Sequence, residues 1–260
     1  MRARQHARPI EAAEPPDELA AIETALADPV VGPEMRALCS VGSRREARDR
    51  HAMSVLMAAT LSRDAHTVDV GAHSGAVLRE IVRCAPAGRH IAYEPIPELA
   101  AQLTAAFPAV TVRNAALSDE NGEASFVQVD TAPEFSGFRE RAYHGFAEVA
   151  KHQISVKTER LDNSLPEGFA PAFIKIDVEG AELLVLRGAR ETIRRWRPTI
   201  VFEHGIGAAD RYETGPADIY ELLVDDLDMR IFDLDGAGPY TRQTFDDVFA
   251  EPLWNFLAVG

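Results

Sequence analysis

Only two cysteines, Cys39 and Cys84, occur in the 260 residues. They are too few for a disulfide framework, and neither sits in the CxxC or Cys/His spacing of a zinc site. Reduced thiols in a cytoplasmic protein are the expectation. Long hydrophobic runs are missing as well: nothing approaches the ~20 uninterrupted apolar residues of a membrane span. The opening stretch MRARQHARPIEAAEPPDELA has no apolar core, so it does not read as a secretory signal. Basic charge is scarce, with 27 Lys and Arg against 41 Asp and Glu and a net charge of −14. A surface of that sign argues against nucleic-acid and membrane partners, whose phosphates attract cations.

What the chain does have is ordinary globular composition, 46% hydrophobic and 26% charged residues, enough for a sizeable core. Residues to about Pro16 read as a tail. DELAAIETALAD then places Leu19, Ile22 and Leu26 at helical spacing behind an Asp cap, and Pro29 and Pro33 end that helix. A longer helix is expected over REARDRHAMSVLMAATLSRD, with Met53, Leu56, Met57 and Leu61 as its apolar stripe. Residues 1–62 therefore read as a tail and helical lead-in, and 63–260 as the main domain.

From His66 short apolar runs alternate with helical patterns. HTVDVG, RHIAYEP, VTVRNAAL, AFIKIDVEG and PTIVFEHG read as strands, and AVLREIVRCA, PELAAQLTAAF, AELLVLRGARETIRRW and PADIYELLVDDL as helices. EASFVQVD and QISVKTERLD read as two further strands able to pair across the loop between them. MRIFDLD and LWNFLAVG close the chain with only a turn-rich segment between, which predicts an antiparallel pair at the sheet edge. The pattern predicts a doubly wound α/β fold: a mostly parallel, seven-stranded sheet with an antiparallel edge strand, behind an N-terminal helical extension.

In such sheets ligands lie beyond the carboxyl ends of the strands. The first strand runs into VDVGAHSGAVL, where Gly71 and Gly75 let the backbone turn sharply at the start of a helix. This is not GxGxxG, because His73 takes the middle position, and an NAD or FAD reading is weakened accordingly. Glu94 ends the second strand, 23 residues after Gly71, an offset at which a carboxylate accepts both hydroxyls of a ribose. Asn114, or the backbone beside it at Ala115, stands where an adenine edge would lie.

Together these features resemble the class I S-adenosylmethionine-dependent methyltransferases. VDVGAHSG, YEPIPE, NAALSD, RLDNSL, FIKIDVEGAELLVLRGA and PTIVFEHG, in that order from about Val68 to about His204, look like the FkbM family of methyltransferases. That family more often has Asn where this chain has His73. The resemblance implies S-adenosylmethionine as cofactor, held by Asp69, Gly71, Ala72, His73, Gly75, Glu94, Asn114, Ala115 and Asp177. It implies methyl transfer to a hydroxyl of a small-molecule or glycan acceptor, on a sugar or natural-product scaffold. Asp177 and Glu179 would line the active site.

Several side chains then become candidates for the reaction. Lys175 and Asp177 fall on one face of a strand, and an anion beside the sulfonium or the acceptor hydroxyl has an electrostatic role. Glu203 and His204 end the next strand and are expected to face the same crevice, with His204 as the base that takes the hydroxyl proton. Asp177, Glu203 and His204 are also competent Mg²⁺ or Mn²⁺ ligands, yet their spacing assigns no metal and none is expected. For Glu182, simple stabilisation of a helix N-terminus competes evenly with a functional role. Between Asp130 and His152 an insertion carries Phe135, Phe138, Arg139, Arg141, Tyr143 and Phe146. Aromatic rings with polar donors suit an acceptor ring, so Phe138, Arg139, Tyr143 and Glu203 are the substrate candidates. N-methylation of an amine is the second reading, and a cofactor-binding module without transfer chemistry the third. The lead-in helices are candidates for covering the active site or for a homodimer contact.

Overall fold

Runs of three to six residues rich in Val, Ile and Phe are too short for buried helices, and they form the main sheet in a computed structural model of the chain. The structure describes residues 41–130, 132–140, 150–249, 251 and 253–260, with side chains from residue 44. The helix expected after Asp17, Cys39, Arg141, Tyr143 and Phe146 lie outside the described residues. The strands are β1 (His66–Val70), β2 (His90–Tyr93), β3 (Thr111–Arg113), β4 (Ala116–Leu117), β5 (Gly122–Val129), β6 (Lys151–Glu159), β7 (Pro171–Ile176), β8 (Thr199–Glu203), β9 (Arg230–Asp233) and β10 (Asn255–Val259). The helices are α1 (Val41–Thr60), α2 (Ala76–Cys84), α3 (Pro97–Ala106), α4 (Leu161–Ser164), α5 (Glu182–Gly188), α6 (Arg190–Trp196), α7 (Pro216–Tyr220) and α8 (Arg242–Val248).

Seven strands make one sheet in the order β3-β2-β1-β7-β8-β10-β9. Its first five strands are parallel, joined by helical crossovers, so the order reverses between β1 and β7. β9 and β10 pair antiparallel as expected, and β10 inserts between β8 and the edge strand β9. The turn-rich segment between them contains α8, capped by Thr241, whose hydroxyl accepts the Thr244 N–H. With Phe245 as its only fully buried residue, that helix is too short to leave a periodic apolar pattern.

The pleat sends alternate residues to opposite faces, and each face has its own cover. Val68, Val70, Ile174, Ile176, Ile200 and Phe202 share one cluster with Leu183, Leu186 and Ile193 of α5 and α6 and with Ile219 of α7. Phe173 and Val201 point the other way and pack with Ile81 of α2 and with Met53 and Met57 of α1. By contact density residues 48–260 form one compact unit. Full burial of each such aliphatic side chain is worth about 1.5–3 kcal/mol.

One expected strand divides. In VTVRNAAL the Ala115 N–H turns back onto the Arg113 carbonyl at 2.9 Å, so β3 stays in the main sheet. β4 leaves it and joins a second sheet of order β4-β6-β5. There β5 and β6 pair antiparallel over eight residues, from Gly122↔Thr158 to Val129↔Lys151. No helix among the described residues is long and apolar enough to cross a membrane.

Candidate active site

The carboxyl ends of β1 and β2 are tied together by the turn that follows β1. The N–H groups of Gly71 and Ala72 both donate to the Tyr93 carbonyl, at 3.0 and 3.1 Å. Gly71 has φ +75°, and a Cβ built on it would lie 1.9 Å from the Asp177 carbonyl oxygen, so only glycine lets the turn press against the end of β7. His73 takes a left-handed conformation at φ 46°, held by its N–H to Glu94 Oε2 at 2.8 Å. The other carboxylate oxygen, Oε1, accepts the Ile96 N–H at 3.0 Å. Glu94 is only 3% exposed; burial pushes its carboxyl above the usual range, and the two N–H donors pull against that. Each oxygen still has a lone pair to offer a vicinal hydroxyl.

Asn114 has a different task from the one its position suggested. Its amide donates to the carbonyls of Glu94 and Pro95, both at 2.9 Å, so it fixes the turn that presents Glu94. Asp69 is fully buried below the turn, and neither of its carboxylate oxygens has a partner among the described residues. Burial pushes its carboxyl up to about 6, while Lys175, its register partner on β7, opposes the shift.

At the ends of β7 and β8 the pleat brings charge together. Lys175 is buried and its Nζ lies 2.8 Å from Asp177 Oδ2. Burial opposes the Lys175 charge, but the carboxylates of Asp177 and Asp69 outweigh it and raise the ammonium's pKa. For Asp177, burial is outweighed by the Lys175 charge and by hydrogen bonds from Glu203 and Lys175, which hold its carboxyl low. Burial, and then the Asp177 charge and the hydrogen bond to it, push Glu203 well above the usual carboxyl range. The two carboxyls thus compete for charge, with Asp177 favoured as the ionised partner and Glu203 as the protonated one. Oxygens of Asp177, Glu179 and Glu203 lie within 4.8 Å of one another. Glu182 Oε1 accepts the Val178 and Gly180 N–H groups, both at 3.1 Å, and so shapes the loop that carries Asp177 and Glu179.

Three expected site residues are placed elsewhere. His204 does not face the crevice; it follows Glu203 directly and so points to the opposite face of the sheet. There its ring stacks against Phe245 and Phe249, at 6.2 and 4.9 Å between centroids. It is 1% exposed, neither ring nitrogen has a hydrogen-bond partner among the described residues, and burial lowers its pKa to about 4. The same separation removes it from any metal-ligand grouping with Asp177 and Glu203. Phe138 packs edge-on against Phe126 at 5.7 Å and joins the cluster of Ile96, Ala116 and Val156. Arg139 donates from Nη1 to the Arg211 carbonyl at 2.6 Å and lies over the Tyr212 ring. Both side chains are committed to holding the insertion. Tyr212 was not expected as a site residue; Lys175 was placed beside Asp177 by their i, i+2 spacing without a role of its own, and Glu182 was left between helix-terminus stabilisation and function.

A domain profile described as Methyltransferase FkbM domain matches residues 69–230, well over half of the chain and the whole crevice. The chain belongs to the FkbM methyltransferase family. Among solved structures, a methyltransferase FkbM from Methylobacillus flagellatus KT is similar with a TM-score of 0.52 at 17% identity, over 94% of this chain and 59% of that one. The present chain thus spans less than two thirds of that relative. The plantazolicin methyltransferase BpumL in complex with SAH is similar with a TM-score of 0.43 at 12% identity, over 93% of this chain and 96% of that one. Precorrin-6y C5,15-methyltransferase from Geobacter metallireducens GS-15 matches with a TM-score of 0.42 at 15% identity, over 80% and 86%. No curated protein matches the chain.

The crevice of this FkbM domain fits S-adenosylmethionine, the cofactor that the sequence resemblance implies. Glu94 carries one backbone N–H on each oxygen and has acceptor capacity left for two ribose hydroxyls. The turn at Gly71–Gly75 leads into the nine-residue helix α2, whose N-terminus has no side-chain cap and leaves amide groups free for the amino-acid part. Asp177 supplies negative charge where a sulfonium would lie between the ends of β1 and β7.

Proposed function

We propose that the chain transfers a methyl group from S-adenosylmethionine to a hydroxyl of a sugar, glycan or natural-product scaffold, in the cytoplasm, with Asp177 receiving the hydroxyl proton and Glu203 hydrogen-bonded to it. The carrying observation is the Lys175–Asp177–Glu203 chain at the ends of β7 and β8. The cofactor, when bound, supplies an electrophilic methyl on a sulfonium. Asp177 accepts a hydrogen bond from the acceptor hydroxyl and orients its oxygen. The acidity of that hydroxyl rises steeply as the new C–O bond forms and the C–S bond breaks. A carboxylate of low pKa is then a sufficient base, and the proton passes to Asp177. Lys175 keeps Asp177 ionised beforehand, and Glu203 donates to it throughout. With His204 turned away, no imidazole is required.

The test uses S-adenosylmethionine labelled in the methyl group, a panel of methyl glycosides, and simple amines as the competing acceptor class. Asp177→Asn is expected to lower turnover by about 10²–10⁴-fold, the usual worth of a proton-transfer group, and Glu203→Gln, which keeps a neutral donor to Asp177, by no more than about tenfold. Calorimetric affinity for S-adenosylhomocysteine should stay within a few-fold in both. Transfer should survive EDTA. Label entering only amines, or Asp177→Asn keeping full turnover, would overturn the reading.

A further inference from the structure

Tyr212 touches three separate segments of the crevice. It ends a short 3-10 turn, Ala209–Tyr212, in the connection after β8. Its phenol oxygen accepts the Arg139 N–H at 3.1 Å. The Arg139 guanidinium lies 5.3 Å from the centre of its ring and also holds the neighbouring Arg211 carbonyl. The insertion is tied at its other side by Gly137, which exchanges both backbone hydrogen bonds with Val127 of β5, at 2.8 and 3.1 Å.

The same residue meets the loop that carries the carboxylates. Gly180, at φ +103°, lies so close that a Cβ there would sit 2.4 Å from the Ala208 carbonyl oxygen and 2.8 Å from Tyr212 Cδ2. A Cβ on Gly137 would lie 3.3 Å from the Tyr212 hydroxyl and 3.8 Å from Glu179 Cβ. The insertion, the turn after β8 and the Asp177–Glu182 loop therefore converge on one side chain. None of these contacts belongs to the cofactor turn at Gly71–Gly75.

We propose that Tyr212 is a positioning residue for methyl transfer: its ring and hydroxyl pin residues 137–139 against the Asp177–Glu179 loop and so fix one wall of the acceptor crevice. The inference rests on the reading that the acceptor meets Asp177 and Glu203. Tyr212 itself touches no reacting atom. It acts through Glu179 and the insertion, so its loss should be felt in acceptor binding and not in cofactor affinity.

Tyr212→Phe keeps the ring and removes the oxygen that the Arg139 amide donates to. Loss of that anchor should speed tryptic cleavage after Arg139 by up to about tenfold, the scale of one lost hydrogen-bond anchor. Amide exchange at residues 137–139 should quicken with it, while the calorimetric Kd for S-adenosylhomocysteine stays within about twofold. On methyl glycosides that wild type methylates, KM for the acceptor should rise about tenfold with kcat nearly unchanged. A merely space-filling tyrosine would leave cleavage, exchange and KM untouched. Either that result or an equal fall in cofactor affinity and Tm would overturn the proposal. If wild type methylates no glycoside, the reading of the acceptor fails, and cleavage and exchange alone decide whether Tyr212 holds the two segments.

Discussion

His204 and Glu203 are neighbours in the chain, yet their environments differ by the whole thickness of the sheet. Glu203 shares a proton with Asp177 on one face; His204 stands between Phe245 and Phe249 on the other with neither nitrogen hydrogen-bonded among the described residues. A buried imidazole held neutral near pH 4, against an ordinary 6.5, makes folding pH-dependent. Between those values the unfolded chain binds a proton that the folded chain refuses. The stability its neutral form allows is therefore complete above about 6.5 and lost as pH falls toward 4. His204→Phe removes this liability and extends the aromatic stack. Relative to wild type, the variant is expected to gain about 2–3 kcal/mol as pH falls from 7.5 to 4.5. Urea unfolding at the two pH values measures it. Turnover should be retained, and a large loss of kcat in His204→Phe would return the imidazole to the mechanism.

At the scale of elements, what was legible depended on how local the signal is. Strand–helix alternation from His66 onward shows in the sequence because each element buries its own apolar residues, as Val68, Val70, Leu78 and Ile81 do. Gly71 and Glu94 are legible for the same reason: a turn glycine and a strand-end carboxylate are each defined by a few neighbouring residues. The division of VTVRNAAL was hidden, because Asn114 turns the chain through bonds to Glu94 and Pro95 on another strand. Tyr212 was hidden because its partner Arg139 is some 70 residues away in the chain. His204 was misplaced by neglect of the pleat alternation that correctly set Lys175 beside Asp177. The stripe of α1 offers a direct check. Met57 packs with Ile81, Phe173 and Val201, whereas Val55 is 54% exposed. Met57→Ala is expected to cost about 2–5 kcal/mol in chemical denaturation and Val55→Ala less than about 0.5. Equal effects would mean that α1 does not seal that face.

Taken as a whole molecule, the fold collects its buried acids at one end of the sheet, and this arrangement works against its own stability at neutral pH. Asp69, Glu182 and Glu203 all have carboxyls raised chiefly by burial. Glu182 separates the cost of charge from the loss of contacts, because both N–H groups it holds donate to the single oxygen Oε1. A glutamine keeps that oxygen and carries no charge. Burial pushes the Glu182 carboxyl up to about 7 from 4.5, so the folded state holds a proton that the unfolded chain has already released. The resulting stability is complete below about 4.5 and is lost as pH rises through 7. Glu182→Gln should therefore gain about 3 kcal/mol on wild type between pH 4.5 and pH 8, whatever constant offset its buried amide group adds. Urea unfolding across that range reads the difference directly. A pH-independent difference would show that the Glu182 charge is not a burden on the fold. A gain at pH 8 with transfer intact would mean that Glu182 serves the loop under Asp177 and Glu179 through its oxygen alone. A gain accompanied by slower transfer would mean that its charge also helps keep the proton on Glu203, as their mutual repulsion implies.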